Sequence, residues 1–330
     1  MNTPDLLDRP ATLDTLHAAL DDGLAWPPEY RSGLSSHLPM ALHALWSLGA
    51  PPERLHAFAA RYAERFGAAR APRGGRVLAD WRDARGRIEA WADLRETFAA
   101  QIRHDGTDAT LRRVLPDLWP GAAGAAFHGL IRTGHAVQAG HAGELVAALA
   151  YWAARWQVVA AGVPGEPLAF GDWAARLETA ALRARWPGAL ISSRIEVAAA
   201  SDDHAQLAER VAVDDLHPLS NLAADLYARS GNFTVLHVVT ATRAARVLLP
   251  WVEDAAAVRA GLVRAVTAAV LASHLQWKEA PPPARSWAEV RADAIASDDD
   301  HVVKIVHALW EERGVYGDGA RLAAAARAEG

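Results

Sequence analysis

One lysine is the first candidate for chemistry in this sequence. Lysine and arginine together number 34, but only Lys278 and Lys304 are lysines, and Lys304 lies in the apolar stretch 300–309. Arginine stays charged in proteins, whereas a buried lysine can lose its proton and react. Lys304 is therefore a candidate reactive amine. The alternative is a lysine whose stem covers apolar surface while its charged end reaches the solvent.

Four of the fourteen histidines lie near the start or in the middle of an apolar helical segment: His37, His128, His237 and His301. One such histidine is more often a hydrogen-bonded core residue than a ligand. Four of them on four predicted helices, together with a buried lysine, form the pattern by which helical bundles build metal sites. A divalent ion would hold the neutral rings together and would need an anionic ligand to balance its charge. Seven others have polar or loop-like neighbours and are predicted at the surface: His17, His56, His104, His141, His204, His217 and His274.

The elements that carry these residues are predicted to be helices. Apolar residues recur at three- and four-residue spacing along most of the chain, and strand-like alternation is scarce. Small residues in an apolar helix predicted for residues 121–137 would let a neighbouring helix approach closely. The run 190–197 is the one candidate strand. The helix that carries Lys304 is predicted to begin at Ser297, with Asp300 three residues later as in a capping box.

Composition and charge exclude several classes of protein. Hydrophobic residues make up 51% and charged residues 22%, as in a globular protein with a full core. No composition break divides the chain, which predicts an all-α fold, a large helical bundle that forms a single domain over residues 1–330, with the metal site between core helices. The net charge of −5, with both signs interspersed, argues against a nucleic-acid surface.

The lack of membrane-spanning and export signals predicts a cytoplasmic location. The sequence has no run of eighteen apolar residues, so no membrane-spanning helix is expected. Residues 1–8 lack the basic start and apolar core of a signal peptide. The absence of cysteine excludes disulfides, thiolate metal sites and a cysteine nucleophile.

Four short blocks resemble the recurring blocks of the questin oxidase-like family: Ser-His-Leu-Pro-Met-Ala-Leu at 36–42, Phe-His-Gly-Leu-Ile-Arg at 127–132, Phe-Thr-Val-Leu-His-Val-Val-Thr at 233–240 and Asp-His-Val-Val-Lys at 300–304. Together the four blocks run from residue 36 to residue 304, which spans most of the chain. Fungal members of this family act on anthraquinones and related aromatic polyketides. One branch is a non-haem iron dioxygenase that cleaves the anthraquinone ring, with iron held by four histidines and a carboxylated lysine. The resemblance therefore implies an oxygenase.

Carried over position by position, the resemblance implies a catalytic metal site made of His37, His128, His237, His301 and Lys304, the last as a carbamate. His135, two turns along from His128, is an alternative ligand or a neighbour that orients the ligands. His307, three residues after Lys304, could compete for the metal. Further candidates for orienting the ligands are Thr234, Thr240, Arg132 and Asp300.

The implied cofactor is Fe(II), with Zn(II) as the alternative, because imidazole and carboxylate ligands suit both ions. Carbon dioxide adds to a neutral ε-amine to give an anionic carbamate, whose oxygens suit iron; arginine cannot do this. Five protein ligands would leave one position of an octahedral ion for dioxygen or a substrate oxygen. The expected partners are dioxygen and a small aromatic substrate such as a polycyclic phenol or quinone. No nucleic-acid or membrane partner is expected, and the oligomeric state stays open.

Two other functions are compatible with the sequence. Other members of the family are Baeyer-Villiger-type oxidases that use a reduced nicotinamide, so NADPH is an alternative cofactor. The chain has no Gly-x-Gly-x-x-Gly turn, and a nicotinamide would bind by another route. The absence of a Gly-x-Ser-x-Gly elbow and of a P-loop argues against an esterase of that class and a P-loop NTPase. The second alternative is a non-catalytic helical protein that binds a metal or ligand.

Overall fold

The computed structural model describes residues 10–31 and 33–328, in which the chain forms sixteen α-helices and one small antiparallel sheet. The all-α prediction is therefore confirmed. The helices are α1 (Leu13–Gly23), α2 (Leu38–Leu48), α3 (Pro52–Ala63), α4 (Trp91–Asp105), α5 (Thr107–Leu118), α6 (His128–Ala139), α7 (Ala142–Ala154), α8 (Phe170–Arg183), α9 (Ile191–Ala199), α10 (Asp202–Leu207), α11 (His217–Ser230), α12 (Phe233–Leu248), α13 (Ala255–Leu271), α14 (Trp287–Ala296), α15 (Asp300–Tyr316) and α16 (Arg321–Arg327). The strands are β1 (Glu29–Tyr30) and β2 (Leu34–Ser35).

Two predictions concern localisation: the absence of a membrane-spanning helix and the absence of a signal peptide. In the part of the chain that the structure describes, no helix has both the length and the apolar character needed to cross a bilayer. The prediction that residues 1–8 contain no signal peptide lies outside the described residues.

Side-chain caps set the starts of two central helices. The Asn232 side chain accepts hydrogen bonds from the first backbone amides of α12, and Asp299 accepts one from the amide of His301 at the start of α15. These caps satisfy amides that have no partner within the helix. The predicted capping residue, Ser297, therefore lies two residues before the observed cap, Asp299. The Ser297 hydroxyl accepts a hydrogen bond from the Asp299 amide, at 3.1 Å, and so supports the capping residue.

Four helices form a closed ring at the centre of the fold: α2 packs against α6, α6 against α12, α12 against α15, and α15 against α2. Imidazole rings of histidines at the starts of all four helices contact one another. Three more imidazole rings, two turns further along α2, α6 and α15, also contact one another. Gly134 of α6 likewise faces Ala244 of α12, so all four helices run in the same direction. Their amino-terminal ends, each with a partial positive charge, meet at one end of the ring, which favours anionic groups there.

The helix predicted for 121–137 begins only at His128. Ala125, Ala126 and Phe127 have φ values of 48°, 55° and 67°, which a right-handed helix cannot accommodate. The predicted close approach is present, because a Cβ on Gly129 would lie 2.6 Å from Cα of Trp152 in α7. The turn before α6 thus places His128 in the first turn of a helix pressed against its neighbours.

The strand predicted for 190–197 is wrong, because this run forms α9. Ile195, Ala198 and Ala199 are buried, a three- and four-residue spacing that places one face of the helix on the core. That face packs against α13. Tertiary burial therefore decides the conformation of a segment whose β-branched residues are typical of strands.

Candidate metal centre

Four histidine rings from four helices meet at the amino-terminal end of the central ring. The centroids of neighbouring rings are 4.6 Å apart for His37 and His128, 4.9 Å for His128 and His237, 6.1 Å for His237 and His301, and 4.8 Å for His301 and His37. The structure thus brings together the four histidines selected from the sequence. They form a closed cycle, in which each ring is adjacent to two others.

Each of the four rings has its Nδ1 atom beside an oxygen acceptor. The acceptors are the Asp300 carboxylate for His37, the Ala125 carbonyl for His128, the Phe233 carbonyl for His237 and the Asp299 carboxylate for His301. Carbonyls and ionised carboxylates only accept, so each Nδ1 carries the proton and donates. The lone pair of each neutral ring is then on Nε2, as in metal sites whose ligands are oriented by such hydrogen bonds.

Two of these Nε2 atoms face each other at 2.6 Å, one on His37 and one on His128. Two lone pairs at this distance repel, and either an extra proton or a cation between them would remove the repulsion. An extra proton is disfavoured because burial lowers the pKa of His37 to about 3 and that of His128 well below its usual value; the ammonium of Lys304 also contributes to lowering both. A metal ion fits this arrangement better than a proton.

Three of the rings are close to the separations that one ion requires. His37, His237 and His301 each offer a ring nitrogen, and these nitrogens lie within 4.8 Å of one another. Metal–imidazole bonds of about 2 Å place ligand atoms up to about 4 Å apart. The rings would therefore need to move by less than about 1 Å to bind a common ion.

Lys304 is buried beside these rings, with 1% of its surface exposed. Burial lowers the pKa of its amine to about 8, against the opposing effects of the Asp300 and Asp299 carboxylates. Its charge is close enough to lower the pKa of the ring of His237 as well as those of His37 and His128. The alternative in which this side chain reaches the solvent is wrong.

Asp300 connects the rings to the surrounding protein. Its carboxylate accepts from Nδ1 of His37 and, at 2.7 Å, from Nη1 of Arg65. Burial pushes its pKa up, but the hydrogen bond from His37 and the positive charges around it hold the pKa below its usual range. Asp300 therefore stays ionised and orients the ring of His37. The Tyr62 hydroxyl also holds His37 in place, because it accepts a hydrogen bond from the His37 backbone amide at 2.8 Å.

The other side chains predicted to orient the ligands have different partners. Arg132 forms a two-point ion pair with Glu144, and the Thr240 hydroxyl donates to carbonyls of its own helix. The Thr234 hydroxyl accepts a long contact of 3.5 Å from Arg194. Among the four predicted residues, Asp300 is the one that contacts a ring of the site.

We expect the variant Asp300→Asn to bind iron about 10- to 100-fold more weakly, because the loss of a ligand-orienting partner typically costs this much affinity. The amide keeps the size of the side chain but can present its NH₂ group to His37 and removes the charge that Arg65 compensates. Titration of the metal-free protein with Fe(II) under anaerobic conditions measures the effect. An unchanged dissociation constant would show that this carboxylate does not orient a metal ligand.

A cavity of about 830 Å³ opens onto the four rings. All four histidines line it, together with the turn residues Ala125 and Ala126 before α6. Phe233, which is 51% exposed, has its ring centroid 4.6 Å from that of His301 and 5.1 Å from that of His237. Trp156, Arg155, Glu29 and Arg194 lie further along the wall. The cavity therefore offers aromatic and cationic contacts beside the ring of histidines.

His135 and His307, the alternative metal ligands, lie away from the four histidines that line the cavity. They group with His43 two turns further along the same helices. His128, in the first turn of α6, is the histidine of that helix that faces the cavity. The sequence reasoning gave no role to His43, although its signal was present, since a histidine follows His37, His128 and His301 after six or seven residues.

Two histidines predicted at the surface are buried. His141, 8% exposed, caps α7 by accepting from the Glu144 amide at 2.9 Å. His204 is fully buried in α10, and its Nε2 lies 3.3 Å from the Arg264 carbonyl. The polar neighbours of His204 are exposed, whereas Glu144 beside His141 is itself buried in an ion pair with Arg132. Polar neighbours in the sequence therefore did not reveal which histidines pack on the core.

The comparison with protein families agrees with the sequence blocks. A family model described as Questin oxidase-like matches residues 34–309, a stretch that contains all four ring histidines and Lys304. No curated protein shows significant similarity to this chain.

Proposed function

Because the chain belongs to the questin oxidase-like family, we propose that it is an iron-dependent oxygenase acting on a polycyclic aromatic substrate, a phenol or quinone. The family points to an oxidase of aromatic polyketides. The observation that supports the metal dependence is the closed cycle of four histidine rings, in which Nε2 of His37 lies only 2.6 Å from Nε2 of His128. Each Nδ1 donates to an oxygen, and the ring pKa values are low. A cation therefore stabilises this arrangement better than an added proton does.

In this proposal the ligands are His37, His128, His237, His301 and Lys304 as its carbamate. When bound, iron would supply the activation of dioxygen, which organic side chains cannot provide. With a pKa of about 8, roughly a tenth of the Lys304 amine is neutral at pH 7. This fraction can attack carbon dioxide: an N–C bond forms, the amine loses a proton to solvent, and a carbamate anion results. The four helix amino termini at this end stabilise the anion.

The volume and lining of the cavity support the proposed substrate class. Its volume of about 830 Å³ lies in the range that holds a drug-sized ligand with several fused rings. Phe233 offers an aromatic edge beside His237 and His301. Arg155 is neutralised by Glu29. Among the described residues, the Arg194 side chain makes only long hydrogen bonds of 3.3 to 3.5 Å and can turn toward a phenolate oxygen. We propose that Arg194 orients an acidic phenol of the substrate.

The proposal predicts one iron per chain at the four-histidine site and oxygen consumption with hydroxylated anthraquinones. The experiment combines metal analysis of the purified protein with turnover under ¹⁸O₂, with and without NADPH. Two labelled oxygen atoms in the product without NADPH indicate ring cleavage, and one labelled atom with NADPH indicates Baeyer-Villiger chemistry. Protein that binds iron but consumes no dioxygen with any member of a phenol and quinone panel would support the non-catalytic alternative.

A further inference from the structure

A second group of three histidines lies inside the central ring of helices. It consists of His43 on α2, His135 on α6 and His307 on α15, with 2%, 3% and 0% of their surface exposed. Nδ1 of His43 is 2.9 Å from Nδ1 of His135, and all three ring centroids lie 5.0 to 5.3 Å apart. Three buried imidazoles from three separate helices thus meet at one point.

The hydrogen bonds of this group are incomplete. Neither ring nitrogen of His307 has a hydrogen-bond partner among the described residues. Oε1 of Glu311 lies 3.5 Å from Nε2 of His307, which is too long for a good hydrogen bond. A fully buried imidazole with two unpaired nitrogens is unfavourable, so a ligand of the rings is expected in the native protein.

We propose that His43, His135 and His307 form a second metal site, which binds a divalent first-row transition ion such as Zn²⁺, with the Glu311 carboxylate as an oxygen ligand. One nitrogen from each ring lies within 4.8 Å of the others, a separation that an ion with bonds of about 2 Å can bring to its coordination geometry. Three neutral imidazoles and one carboxylate are a common ligand set for such ions. The site does not depend on the proposed oxygenase function.

The charges around the three rings are compatible with a dication. Nε of the buried Arg243 donates to Glu311 at 2.5 Å, and Arg246 pairs with Glu312 at 2.6 Å, so that a carboxylate balances each of these two cations. Burial lowers the pKa of the His135 ring, and Lys304, a further cation whose charge reaches His135, lowers it too. Gln138 donates to the other oxygen of Glu311, at 3.1 Å. Nη1 and Nη2 of Arg243 lack partners among the described residues, which leaves donors for a water or anion on the ion.

The two sites are layers of one bundle. His43, His135 and His307 follow His37, His128 and His301 by six, seven and six residues, which corresponds to about 9–10 Å along a helix. This separation is too long for a bridged pair of ions. The second ion would instead connect α2, α6 and α15 beneath the layer that faces the cavity and so hold the first layer in register.

Co²⁺ titration of the metal-free protein tests the second site. The double variant His128→Ala/His237→Ala removes two of the four histidines of the first site, and we expect it to retain one tightly bound Co²⁺ with the visible absorption of a four-coordinate ion. Adding His307→Ala should remove this Co²⁺. The matched control is His204→Ala, which deletes another buried histidine with an unpaired Nδ1 and should leave Co²⁺ binding unchanged.

Glu311→Gln provides a readout if the His307 variant does not fold, since the amide preserves size and should weaken Co²⁺ binding at least about 10-fold. The proposal is overturned if the His128→Ala/His237→Ala protein binds no Co²⁺, or if Glu311→Gln or the added His307→Ala leaves binding unchanged. These outcomes say nothing against the first site. Conversely, the first site fails if the single variant His237→Ala keeps the full metal content of the wild type.

Discussion

Replacement of Lys304 by arginine or methionine is expected to lower oxygenase turnover by more than about 100-fold. Removal of a residue that only orients a ligand already costs about 10- to 100-fold, and Lys304 is proposed as a ligand itself. Arginine cannot form a carbamate at neutral pH, and methionine fills the buried space without charge. Both variants should also purify with less iron than the wild type.

The same substitution at the other lysine is the matched control. Lys278 is exposed, and Lys278→Arg should retain activity and iron. After equilibration with ¹³C-bicarbonate, a carbamate carbon signal should appear in the wild type and in Lys278→Arg but be absent from Lys304→Arg. Short carboxylates such as acetate should restore part of the activity of Lys304→Ala. Full activity of Lys304→Met would rule out the carbamate.

His237→Ala is expected to lose iron and to lower turnover by more than about 100-fold, because it removes a proposed metal ligand. Its ring is 1% exposed, its Nδ1 is held by the Phe233 carbonyl at 2.8 Å, and its Nε2 is left for the metal. Added imidazole can enter through the cavity, which the histidine lines, and should recover part of the activity. Iron content and oxygen uptake measure both effects.

Two histidines outside the site serve as controls for this variant. His56 is exposed, and His56→Ala should change neither iron content nor turnover. His204→Ala deletes a buried histidine and reports the cost of a cavity alone, so it should lower thermal stability without loss of iron. Equal iron loss in His204→Ala and His237→Ala would mean that general destabilisation, and not a missing ligand, explains the result.

Sequence alone determined the all-α fold class and selected the residues that meet at the first site. Helical spacing of apolar residues and capping side chains act within a few residues of the chain, so their effect can be read locally. The apolar surroundings of His237 and of Lys304 likewise indicated burial, and both side chains are buried. The roles proposed for them as ligands stay predictions.

Tertiary structure alone decided the start of α6, the helical state of α9 and the burial of His141 and His204. Each depends on contacts between residues far apart in the chain: three residues with positive φ before α6, one face of a short helix pressed on the core, or, for His141, its contacts with His17 and Asp21 of α1. The parallel direction of four helices also comes from long-range packing. It creates the second layer around His43, which no local pattern could assign, because a ligand set is defined by distances in space and not by spacing along the chain.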